Sequence, residues 1–213
     1  DIQKLFKGGF STGNGYLREP NDIQSYSALA CLAIQSNQND QHGGQSIPNF
    51  DYGMADGVKK SYKKLYWTNL GKMINLLYDV EDGLEKVRAM GKTIEDETGL
   101  KPTIELDEAY REEEAVQLAG MVEEKDIAKL QQRAKKYADQ EIRRATYQAM
   151  EAFVHNLNTM HSRAGAQIPF SSINYGLDTS PEGRLIIENI LLATEAGLGN
   201  GETAIFPIHI FRV

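Results

Sequence analysis

Apolar residues at helical spacing dominate the chain, and period-two alternation is confined to its last quarter. The run SYSALACLAIQSNQ, residues 25–38, is apolar all round in its middle and predicts a buried helix. Asn21 or Asp22 stands where an N-cap is needed. A second helix is expected from Asp51 to about Leu70. Leu76, Leu77, Val80, Leu84 and Val87 continue a helical spacing, which Gly99 and Pro102 interrupt. Residues 105–124 are strongly acidic and read as a solvent-facing helix. Lys125 to His161 is the clearest long helix, with Ile127, Leu130, Ala134, Tyr137, Ile142, Ala145, Ala149 and Phe153 as its apolar stripe.

The last quarter reads differently. Gln167 to Asn174 is β-rich and short, and Ala204 to Val213 is a second strand. Between them Ser180-Pro181-Glu182 supplies a cap and a first-turn proline, and LIIENILLATEAGLG an apolar helix face ended by Gly197 to Gly201. Strand, helix and strand with a short return predict a parallel βαβ unit, whose strands should be buried on both faces. Glycine-rich segments at residues 8–16 and 41–48 are expected as turns, and Asp1 to Phe6 as a helical turn. The fold class is therefore helix-rich α/β.

Composition narrows the partners. A net charge of −7 argues against a protein that grips a nucleic-acid backbone, because that grip rests on Lys and Arg. Free nucleotides stay open, since a local cluster suffices for them. No apolar run is long enough to span a membrane, and DIQKLFKGGF has no signal-peptide pattern. Cys31 is the only cysteine, which excludes an internal disulfide and fits a reducing cytoplasm. The first residue is not Met and the last ones are an apolar strand, so a piece of a longer polypeptide is expected.

Several segments offer chemistry beside a plainer reading. His42-Gly43-Gly44-Gln45 has two glycines whose amides suit an anion, though paired glycines also make ordinary turns. Lys59, Lys60, Lys63 and Lys64 lie at helical spacing and would suit a triphosphate, or simply form a solvated face. His161 and Arg163 favour the negative end of the long helix, and Arg163 also suits a substrate phosphate. Gln167, Ser171, Ser172 and Asn174 put polar groups on a strand that otherwise reads as core, so they face a wet cavity or find partners in neighbouring strands. Period two sets Ser171 with Ile173 and Ser172 with Asn174. Cys31 in ALACLAI reads as inert packing. The four histidines show no metal-ligand spacing.

Five segments, in order, resemble the anaerobic, glycyl-radical class of ribonucleoside-triphosphate reductases. They are GGFSTGNGYLREP (8–20), QSNQNDQHGGQSIPNFDYGMA (35–55), MEAFVHNLNTMHSRAGAQIPFSSINYG (150–176), TSPEGRLIIENILLATEAGLGNGET (179–203) and IFPIHIF (205–211). The resemblance implies part of an α/β barrel shared by glycyl-radical enzymes. Residues 1–70 would carry the effector and dimer face, 71–125 a variable helical insertion, and 126–213 the long helix and the βαβ segment. It implies radical removal of the ribose 2′-hydroxyl of a ribonucleoside triphosphate. Gln167, Ser171, Ser172, Asn174 and Arg163 would then be substrate-side, and Asn21 and Lys64 would meet a deoxynucleotide or ATP effector in a homodimer. The family also implies a glycyl radical, a C-terminal zinc site, formate as common reductant and a radical-SAM activating enzyme. Its strand cysteine is expected upstream of Asp1 and its loop cysteine downstream of Val213, so Cys31 inherits neither role. Two other readings compete: a helical interaction module without catalysis, and a different glycyl-radical enzyme.

Overall fold

In the computed structural model, residues 2–11, 15–41, 43–161 and 167–213 are described. The chain divides into two compact units, Asp1–Lys60 with Arg143–Val213, and Ser61–Ile142. Helices α3 (Phe50–Tyr78) and α6 (Glu124–Thr159) each carry residues of both.

The first unit holds α1 (Ile2–Phe6), the two-residue strands β1 (Phe10–Ser11) and β2 (Tyr16–Leu17), α2 (Ile23–Asp40) and β3 (Gln45–Ile47). Its later part holds β4 (Ser171–Tyr175), α7 (Pro181–Ala196) and β5 (Ile208–Phe211). Asp22 caps α2, its carboxylate accepting the Ser25 N–H at 2.7 Å. Ser180 caps α7 with Pro181 in the first turn, as the sequence predicts. β4, α7 and β5 form the expected parallel βαβ unit. The glycine segment at 41–48 is more than a turn: Gln45 to Ile47 form a strand parallel to β4, in the order β3-β4-β5. Gln45 N–H donates to Phe170 O at 2.8 Å where that pairing begins.

Cross-strand register assigns the faces. Gln45, Ile47, Ser171, Ile173 and Tyr175 lie on one side and are buried. Ser46, Ser172, Asn174, Ile208 and Ile210 lie on the other. That side is open: Ile208 is 41% exposed and Ile210 43%. Burial on both faces, expected for parallel strands, does not hold here, because among the described residues no layer covers the second face.

The second unit is helical: the later part of α3, α4 (Gly83–Thr98), α5 (Glu108–Leu118) and the first part of α6. The spacing that joins Leu76 to Val87 is broken. Asp79 and Asp82 adopt left-handed backbone between α3 and α4, which rotates the register. Leu76 is 84% exposed while Val87 is buried. In α6 Tyr137 points outward, half exposed, and Ala138 takes the inward place, four residues after Ala134. The acidic α5 is not wholly solvent-facing either. Tyr110, Glu114 and Leu118 recur every fourth residue and all three are buried. Glu114 accepts hydrogen bonds from Tyr66 Oη at 2.6 Å, Tyr110 Oη at 2.6 Å and Gln131 Nε2 at 3.1 Å.

Close helix contact in this unit depends on glycine. A Cβ on Gly91 would lie 2.3 Å from the Trp67 indole, and that indole is fixed by donating to Tyr110 Oη at 2.9 Å. Gly91→Ala should therefore destabilise by about 1–3 kcal/mol through overpacking, despite the roughly 1 kcal/mol that alanine gains in a helix. Urea unfolding monitored by Trp67 fluorescence checks this; a more stable variant would show that the indole can move aside.

Candidate functional site

The open face of β3-β4-β5 gathers Ser172 and Asn174, the two candidates that period two sets together. Ser46 on β3 joins them through its register with Ser172. Asn174 Oδ1 is shielded from solvent and finds no hydrogen-bond partner among the described residues. A shielded carbonyl oxygen without a donor is an unusual feature of a folded chain. Beside it Ile208 and Ile210 make the same face half apolar. A polar edge next to an apolar surface suits a ligand with a hydroxylated part and a flat part.

The other substrate-side candidates separate. Ser171 is fully buried on the opposite face, and its Oγ likewise lacks a partner among the described residues. Gln167 is exposed, four positions before β4. Arg163 and the glycine turn after it lie outside the described residues, as does His42.

Residues of ordinary appearance hold this sheet in position. Asp51, at the start of α3, accepts the N–H groups of Gly176 at 2.8 Å and Asp178 at 3.0 Å through one oxygen. That fixes the turn leaving β4. Asn158, near the end of α6, fixes the approach to β5. Its Oδ1 accepts from the N–H groups of Ile205 and Phe206 at 2.9 and 3.0 Å. Its Nδ2 donates to Phe206 O at 2.6 Å and Val154 O at 2.7 Å. Behind the sheet, His209 stands between Tyr175 Oη at 3.0 Å and Thr194 Oγ1 at 3.1 Å. Thr194 spends its proton on Ile190 O, so it accepts from His209 Nε2–H, and Nδ1 accepts from Tyr175.

Burial lowers the His209 pKa below its ordinary value. The unfolded chain then binds the proton more readily than the folded one, so folding stability is lost as pH falls below about 6.5. The loss should be absent in His209→Gln, measured as urea midpoints from pH 7.5 down to 5.5; parallel slopes in the two proteins would reject it.

The lysine cluster separates as well. Lys60 Nζ pairs with Glu19 at 2.8 Å, donates to Pro20 O at 3.0 Å and lies over the Tyr26 ring. Lys63 pairs with Glu95 at 2.8 Å and lies over Trp67. These two are engaged by carboxylates, which takes them out of a triphosphate cluster. Lys59 and Lys64 are exposed. Asn21 is exposed just before the α2 cap, in the first unit, whereas Lys64 belongs to the second.

Cys31 is buried against α6, with its Sγ 3.9 Å from Phe153 O, and burial pushes the thiol up to about 12. This agrees with its reading as inert packing. Among the described residues no group of three His, Cys, Asp or Glu side chains converges to hold a metal ion. No described helix is long and apolar enough to cross a membrane.

Comparison with known proteins adds a family. The family model described as anaerobic ribonucleoside-triphosphate reductase matches residues 1–213. The chain is 36% identical over its whole length to an anaerobic ribonucleoside-triphosphate reductase of Haemophilus influenzae, of which it covers 22%. It is 26% identical over its whole length to the Escherichia coli K12 protein of the same name, again covering 22%. Over 97% of its length it is 24% identical to the bacteriophage T4 protein of that name, covering 25%. The chain thus spans between a fifth and a quarter of the length of the curated relatives it matches.

Proposed function

Because the chain belongs to the anaerobic ribonucleoside-triphosphate reductase family, we propose that it is a binding segment of a catalytic subunit that reduces ribonucleoside triphosphates to deoxyribonucleotides by radical chemistry. In this reading the β3-β4-β5 sheet is an arc of a larger α/β barrel, and its open face looks into the barrel. Ser172 and Asn174 then meet the sugar or phosphate of the substrate, with Gln167 at the approach to β4, and Arg163 is proposed as a further phosphate contact. Ser171 supports the strand from behind. The observation that carries the reading is the unsatisfied Asn174 Oδ1 beside Ser172 on an uncovered, half-apolar face.

The segment's own contribution is to hold and orient. Ser172 and Asn174 supply neutral hydrogen bonds that recognise hydroxyls without competing for the triphosphate charge. Asp51 and Asn158 fix the two ends of the wall, and a wall that does not shift keeps a bound ribose in one orientation. Asn21 and Lys64 are proposed to contact a deoxynucleotide or ATP effector in a homodimer, where Lys64 offers a point charge to phosphate. The radical-carrying cysteines, the glycyl radical, the zinc ligands and the site of the radical-SAM activating enzyme are assigned to parts of the full-length protein that this chain does not span. The described residues offer zinc no ligand cluster, and Cys31 has no access to the open face.

Titration of the purified chain with ribonucleoside and deoxyribonucleoside triphosphates tests this, following thermal stability and mass in solution together. A selective rise in Tm is expected. Ser172→Ala with Asn174→Ala should abolish the response to ribonucleotides, and Lys64→Ala should abolish the response to the effector. A well-folded chain that responds to no nucleotide would reject binding by this segment alone. In an anaerobic reductase assay with formate the chain alone should yield no product; deoxynucleotide formation would overturn the assignment of the radical groups elsewhere.

A further inference from the structure

The second unit carries a groove that nucleotide binding does not use. It lies between the end of α3 and the first turns of α6, holds about 290 Å³ and takes all its lining residues from this unit. Its apolar part is Leu77 and Leu130. Leu76 and Leu77 are 84% and 58% exposed, two consecutive leucines left in water where α3 ends. Its polar part is ordered. Glu123, just before α6, and Asp126 lie at one end, and Lys129 and Arg133 at the other. Positions 123, 126, 130 and 133 recur at helical spacing and share one face. Tyr78 Oη donates to Asp126 Oδ2, which holds that carboxylate at the groove. Lys125 pairs with Glu123 at 2.6 Å, but their side chains are 74% and 62% exposed, so this pair contributes little and exchanges readily.

That order is complementary to itself. A half-turn about an axis through the middle of the stripe sets two copies of the first turns of α6 antiparallel. Position 123 then faces position 133, and position 126 faces 130 with 129 beside it. We propose that the groove is a contact between two copies of this chain, in which Glu123 of each copy meets Arg133 of the other, Asp126 approaches Lys129, and the leucines close the centre. A two-fold interface requires this self-complementarity, and charges that match in one antiparallel register fix that register. Two acids and two bases cancel, so the groove escapes the repulsion that a net charge of −7 sets between copies elsewhere. A peptide of one charge sign would be repelled at one end, which is why a second copy fits better than an acidic or basic partner. The contact uses no residue assigned to substrate or effector, so it stands without the nucleotide-binding reading.

Sedimentation equilibrium of the full chain, with no nucleotide present, tests it. A mass that rises with concentration from that of one chain toward that of two is expected, and added salt should lower it, since exposed charges are screened. Glu123→Arg and Arg133→Glu should each weaken association at least about tenfold, because each turns two attractions across the axis into two repulsions. Mixed in equal amounts the two variants should recover it, as each then presents the opposite charge to the other. Both positions are exposed, so the fold does not depend on them. Leu77→Asp, at another exposed position, should also give monomers. A chain that stays monomeric at every concentration overturns the proposal. So does association that survives both charge reversals, or a mixture no more associated than its two components.

Discussion

Asn158→Ala is expected to cost about 3–4 kcal/mol, because it removes at once four hydrogen bonds to backbone that is for the most part only partly shielded from water. Its side chain accepts from two consecutive N–H groups and donates to two carbonyls. Alanine removes all four bonds, and among the described residues no other polar side chain bonds to these groups. Part of the segment is reachable by water, which is why the cost should fall well below four full desolvation penalties. Asn158→Asp separates the two halves of the arrangement. It keeps the oxygen that receives Ile205 and Phe206 but turns the donor toward Phe206 O and Val154 O into an acceptor. Its stability should lie between those of the other two proteins. The measurement is the urea midpoint of the three, with hydrogen exchange on the β5 amides as the local readout. If Asn158→Ala stays within about 0.5 kcal/mol of the parent, the range of an ordinary surface substitution, then β5 is held by its pairing with β4 alone.

The position of Asn158 shows where reading from sequence stops. It lies in a helix whose neighbours Val154 and Leu157 are plainly apolar, and its partners are 47 and 48 residues away. Nothing local announces such a bond. The βαβ unit was legible because its signals are local: the Ser180 cap, Pro181, and strands of β-branched residues. β3 was not, because three residues flanked by glycines and a proline carry little propensity, and only pairing with β4, more than 120 residues later, makes them a strand. The face partition of Ser172 and Asn174 from Ser171 followed from period two. Which face stays open did not, since that depends on what covers the sheet. The break between α3 and α4 rests on left-handed Asp79 and Asp82, a conformation most often supplied by glycine and therefore hidden in an aspartate. Asp51 was equally silent, as its role is to receive two amides from a loop 125 residues away.

Glu114→Leu should destabilise the helical unit by about 3–5 kcal/mol, the cost of removing one member of a buried charged network and leaving its partners in place. Leucine fills a similar volume, so the loss is electrostatic rather than a cavity. Two phenol hydroxyls and an amide would point at an alkyl group, each short of an acceptor. The same physics predicts partial rescue. Tyr66→Phe and Tyr110→Phe added to Glu114→Leu delete two of the stranded donors, and an apolar replacement of a whole buried network is often nearly neutral. The Trp67 N–H loses Tyr110 Oη in that triple variant, and Gln131 keeps an unmatched donor, so about 1–2 kcal/mol of the loss should remain. Urea midpoints of the single, double and triple variants give the coupling directly. Additive losses would mean that Glu114 and the tyrosines are merely neighbours, whereas recovery on adding two further substitutions requires that they act as one network. The spacing held a clue to this: Tyr110, Glu114 and Leu118 recur every fourth residue, and a glutamate in an apolar stripe belongs inside even when acidic residues surround it in sequence.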